Sequence, residues 1–81
     1  MQLRVQFFSH LRDLVSASEW LVELPDGSVV TDLLEKLYNA KPGLRSADKS
    51  ILVAAGVEFV NRQYRLKPGD EISIMPPVQG G

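Results

Sequence analysis

Hydrophobic positions along this chain take three forms: alternation, helical spacing and one continuous run. Leu3, Val5 and Phe7 alternate with Gln2, Arg4 and Gln6, the period of two of a half-buried strand. Leu11, Leu14 and Val15 follow at helical spacing and predict a short helix over residues 9–15, with Ser9 as its N-cap. Trp20, Val22 and Leu24 alternate with Glu19 and Glu23 as a second strand, and Pro25-Asp26-Gly27 supplies turn chemistry. Val30, Leu33, Leu34, Leu37 and Tyr38 then recur at i, i+3, i+4, i+7 and i+8, one apolar stripe of the main helix. Ser28 is the nearest capping side chain, and Pro42-Gly43 stops the helix.

Leu44 to Ser50 is polar and reads as irregular chain or a single helical turn. Ile51 to Ala55 is the continuous apolar run and suits a strand buried on both faces. Gly56 permits a turn, and Glu58-Phe59-Val60 and Tyr64-Arg65-Leu66 are long enough only for small edge strands. Lys67-Pro68-Gly69-Asp70 is a turn with proline and glycine correctly placed. Glu71 to Met75 alternates again with Ile72 and Ile74 inward, and Pro76-Pro77 removes two backbone donors and ends that strand. One amphipathic helix can cover one face of the resulting mixed sheet, so the fold class is α+β in two layers.

Composition narrows the function. Eighty-one residues make one domain, here residues 1–75 with a tail at 76–81, because a small chain cannot bury two cores. Nine basic residues are scattered among ten acidic ones, so no clustered positive field for nucleic acid or an anionic membrane is expected. No cysteine is present, which excludes a disulfide, a thiolate zinc site or a persulfide on this chain. The first residues lack a signal peptide's apolar stretch, no run nears the roughly 20 residues of a membrane helix, and a cytoplasmic protein is expected.

No complete active site is visible. His10 is the one histidine, so no histidine metal site or acid–base pair is available, and a surface or helix-cap role is expected for it. The aspartates sit at turns and helix ends, the serines lack a neighbouring base, and no glycine-rich loop precedes a helix. No metal is expected.

The last six residues, Pro76-Pro77-Val78-Gln79-Gly80-Gly81, are different. At average glycine usage two final glycines arise by chance in about 0.5% of chains. The preceding prolines stiffen the exit from the last strand, and six extended residues reach roughly 20 Å. A stiff lead that narrows to two residues without side chains can thread a tunnel and carry the carboxylate of Gly81 into a partner's active site. Strand parity also turns Phe8 away from Leu3, Val5 and Phe7, and sets Met75 with Glu71 and Ser73 rather than with the inward isoleucines. With Phe59 they are candidates for an apolar partner surface at the base of the tail; core filling is the alternative for the two phenylalanines.

The stretch from Leu66 to Gly81, with its Gly69-Asp70-Glu71 turn, apolar strand, Pro76-Pro77 and final Gly80-Gly81, resembles the end of the molybdopterin synthase small subunits, the MoaD type. The opening Val5-Gln6-Phe7-Phe8, followed by Leu11, Arg12 and Leu14, is also similar, so the resemblance spans the chain. It implies the β-grasp fold of ubiquitin. It implies that an E1-like enzyme adenylates the Gly81 carboxylate with ATP, that sulfur replaces AMP as a thiocarboxylate, and that the tail enters the large synthase subunit of a heterotetramer. There the sulfur would pass to cyclic pyranopterin monophosphate to build the molybdopterin dithiolene. The chain itself is then a carrier, not an enzyme, and binds no cofactor. Many members carry Asn at the place of Gly56 and a bulkier apolar residue at that of Met75. The alternatives are a carrier for thiamine synthesis or transfer-RNA thiolation, which the Pro-Pro lead disfavours, a modifier conjugated through Gly81, and a plain binding module.

Overall fold

The computed structural model describes residues 1–77. Its elements are β1 (Gln2–Phe7), α1 (Leu11–Val15), β2 (Glu19–Glu23), α2 (Val30–Ala40), a 3-10 segment (Pro42–Ser50), β3 (Leu52–Ala55), β4 (Glu58–Val60) and β5 (Glu71–Met75). The strands form one sheet in the order β2-β1-β5-β3-β4, with β1 and β5 parallel and the other pairs antiparallel. The alternation in β1 and β5 places Leu3, Val5, Phe7, Ile72 and Ile74 on one face. The α2 stripe of Val30, Leu33, Leu34, Leu37 and Tyr38 packs with them in a single core. This is the two-layer β-grasp arrangement. Among the described residues no helix is long and apolar enough to cross a membrane.

Most departures from the sequence reading occur where the chain changes direction. Ser9 is not a cap: it adopts φ 55°, and His10 holds the position before α1 without a side-chain capping bond. The sharp turn out of β1 requires the left-handed residue, whereas an N-cap normally uses extended backbone. Leu14, expected on the apolar stripe, is 40% exposed, because α1 is only five residues long and buries Leu11 and Val15. Ser28 does not cap α2 either. Its hydroxyl donates to the Pro25 carbonyl at 2.8 Å and closes the turn, while the Val29 N–H donates to the Asp32 carboxylate at 2.9 Å.

The segment before β3 is more ordered than its polarity suggests: nine residues of 3-10 helix, with Leu44 buried beneath. Tyr64-Arg65-Leu66 forms no strand; Arg65 makes one isolated bridge to Val29. The two-residue tip between β3 and β4 has Gly56 at φ 62°, and the Lys67–Asp70 turn has Gly69 at φ 86°, as their turn chemistry requires. In that second turn the Asp70 carboxylate accepts from the Lys67 N–H and the Tyr64 hydroxyl. The Asp70 bond and burial hold the Tyr64 hydroxyl above its usual range.

Candidate functional site

β5 is flanked on both sides, by β1 and β3, and its Ile72 and Ile74 are fully buried. The strand that leads into the tail is therefore anchored at the middle of the sheet. Its last paired residue is Met75, opposite Leu52, and Pro76-Pro77 follow with no N–H to continue the ladder. The Phe8 N–H donates to the Ile74 carbonyl at 3.1 Å, which extends the β1 pairing by one residue and sets Phe8 beside Met75.

Register then defines the sheet face opposite the helices. Phe8, Met75 and Leu52 form one row across three strands at the root of the tail. The next row holds Gln6, Ser73, Ala54 and Phe59. Phe8 is 43% and Phe59 65% exposed, and Met75 and Leu52 are half-buried. Phe8 and Met75, singled out by parity, and Phe59, the third candidate, thus share one uncovered face, and neither phenylalanine fills the core. Leu52 belongs with them, although the sequence reading placed it in a strand buried on both faces. Its signal was available: counting back from the Gly56 tip gives Leu52 and Ala54 one parity. Pro76 and Pro77 also border a cleft of about 390 Å³ with Ser9, His10, Ala47 and Ser50.

A polar brace centred on Asp48 lies in the same 3-10 segment as Ala47 and Ser50 of that cleft. The Tyr38 hydroxyl donates to Asp48 Oδ1 at 2.5 Å, and Arg62 donates to the same oxygen at 3.0 Å and to the Asp48 carbonyl at 2.7 Å. The Tyr38 bond, then that of Arg62, holds the Asp48 carboxyl below its usual range. Burial and the Asp48 carboxylate push the Tyr38 hydroxyl up. These bonds tie α2, the 3-10 segment and the strand-free stretch after β4 together. Among the described residues no group of three His, Asp or Glu side chains gathers to hold a metal ion. His10 lies exposed on the cleft rim. Val78, Gln79, Gly80 and Gly81, the rest of the proposed working tail, lie outside the described residues.

A family model described as the ThiS family matches residues 5–81. A molybdopterin synthase sulfur carrier subunit from Chlamydomonas reinhardtii is 39% identical over 83 aligned positions, covering all of both chains. Among solved structures, small archaeal modifier protein 1 from Haloferax volcanii is 26% identical with a TM-score of 0.87, both chains being covered in full. The complex of subunits 1 and 2 of the molybdopterin-converting factor from Helicobacter pylori contains a chain 27% identical, with a TM-score of 0.70 and full coverage of both chains.

Proposed function

This chain belongs to the ThiS family, and from that premise we propose that it is the sulfur carrier subunit of a molybdopterin synthase. The observation that carries the reading is the full-length similarity to the Chlamydomonas reinhardtii carrier subunit, within a family match that runs through Gly81.

The chemistry follows from what the chain has and lacks. A carboxylate is a poor electrophile. An E1-like enzyme would join the Gly81 carboxylate to the α-phosphate of ATP, releasing pyrophosphate, and so provide AMP as a leaving group. A sulfur nucleophile then displaces AMP and leaves a thiocarboxylate. With no cysteine in the chain, the thioacid is where sulfur can be held. As the C–S bond at Gly81 breaks and sulfur passes to cyclic pyranopterin monophosphate, water supplies the oxygen that restores the carboxylate. ATP belongs to the activating enzyme, and the residues that drive transfer belong to the large subunit.

Docking is assigned to the face that carries Phe8, Met75, Leu52 and Phe59, because it lies where β5 hands over to Pro76-Pro77. Burial of exposed aromatic and methionine side chains would hold the body while the tail is threaded. Two small and two large subunits in the cytoplasm complete the reading. Reconstitution with a large subunit tests it. The thiocarboxylate form should yield dithiolene product from cyclic pyranopterin monophosphate; a large subunit that neither binds the chain nor accepts its sulfur would refute it.

The similarity to small archaeal modifier protein 1 favours a second reading, conjugation of Gly81 to lysines of other proteins. Lysine adducts that survive denaturation in cell extracts would support it.

A further inference from the structure

A second open surface lies at the β2 edge of the sheet, with β1 between it and the strand that feeds the tail. Backbone bonds fix which groups of β2 are free. The Ser18 carbonyl accepts from the Phe7 N–H, and the Leu24 N–H donates to the Met1 carbonyl, so residues of that parity face β1. Glu19, Leu21 and Glu23 have the other parity and turn their N–H and carbonyl groups outward. The Lys36 ammonium donates to one of these, the Glu23 carbonyl. Beside this edge, between β2 and α2, runs a groove of about 370 Å³ lined by Trp20, Val22, Leu37, Ala40 and Lys36. Trp20 is held edge-on against Phe7, with centroids 6.1 Å apart, so this wall is set by the core. On the opposite face Leu21 is 62% exposed between two glutamates.

We propose that the β2 edge docks an extended segment of another protein as an added strand. Pairing to Leu21 makes the main-chain bonds, and the pleat sends alternate residues into the groove and over the outer face. The groove asks for apolar residues. The outer face asks for an apolar residue beside Leu21 and basic residues beside Glu19 and Glu23, although Glu19 is shared with Arg4 at 3.6 Å. A second copy of this chain fits poorly: a two-fold pairing centred on Leu21 sets each Glu19 against the other copy's Glu23. The occupant is therefore a basic–apolar strand of a different protein. It leaves the tail free, so the inference goes beyond the carrier role and does not depend on it.

The test uses the full chain and the acetylated peptide Lys-Val-Leu-Val-Lys, read by the fluorescence of Trp20, the only tryptophan, and by amide chemical shifts. The expected result is a saturable Trp20 change with shifts centred on Glu19, Leu21 and Glu23. The peptide Glu-Val-Leu-Val-Glu should bind about tenfold more weakly or worse. Ala40→Arg, at an exposed helix position, should fill the groove and weaken binding by a similar factor, and Leu21→Lys serves as a second variant on the outer face. Absence of saturation, equal binding of both peptides, or shifts centred on Phe8 and Met75 would overturn the proposal. So would a Trp20 signal that tracks protein concentration without peptide, since a second copy would then own the edge.

Discussion

Asp48 shows how one carboxylate connects the core to the tail's surroundings. Its oxygen accepts from Tyr38 on the main helix and from Arg62 beyond β4, while its neighbours Ala47 and Ser50 border the cleft at Pro76-Pro77. Because the folded carboxyl titrates below its unfolded value, its contribution is present above the ordinary carboxylate range, about pH 4, and is lost as pH falls through the lowered value. Asp48→Asn should cost about 0.5–1 kcal/mol at neutral pH, a figure kept low because the side chain is partly exposed. The gap to wild type, measured by urea unfolding, should close in acid; a gap independent of pH would contradict this. Gly56 is the other residue with a defined demand. At φ 62° a side chain meets nothing within 4 Å, so the penalty is one of backbone alone. Gly56→Ala should cost about 1 kcal/mol, and Gly56→Asn less, since Asn tolerates the left-handed region. Urea midpoints in that order would confirm that the demand at Gly56 is one of backbone conformation.

Elements with a clear period were legible in the sequence, and elements defined by their neighbours were not. The alternation of Leu3, Val5 and Phe7 and the stripe from Val30 to Tyr38 report burial directly, because one face of each must leave water. Tyr64-Arg65-Leu66 has strand composition but spends its backbone bonds elsewhere, the Tyr64 and Arg62 carbonyls accepting from Val30 and Thr31 at the start of α2. The caps were misassigned for a similar reason: Ser28 can close the Pro25 turn or cap the helix, and only the path of the chain decides. The apolar face was half legible. Parity marked Phe8 and Met75, and Phe59 stood beside them as a third candidate, but Leu52 was hidden in a continuous apolar run whose parity shows only once counted from the Gly56 tip. Two elements should therefore respond differently to truncation. Leu37→Ala in α2 removes fully buried methyl groups and should cost about 2–5 kcal/mol. Phe59→Ser on β4 should stay within about 0.5 kcal/mol of wild type while weakening large-subunit binding about tenfold or more. Titration calorimetry with the large subunit checks the second outcome, and unchanged affinity would move the docking surface elsewhere.

At the scale of the whole molecule, the described residues form one body built on a single sheet. Helices occupy one face of the sheet, the apolar rows lie on the other, and the middle strand delivers Pro76-Pro77 between them. Removing Gly81 should leave the urea midpoint unchanged while abolishing sulfur transfer. The most direct test is the intact mass of the chain after incubation with its activating enzyme, ATP and a sulfur donor. The carrier account predicts a mass increase equal to the exchange of one oxygen for sulfur, located at Gly81 by fragmentation and absent without ATP. An unchanged Gly81 under those conditions would contradict it.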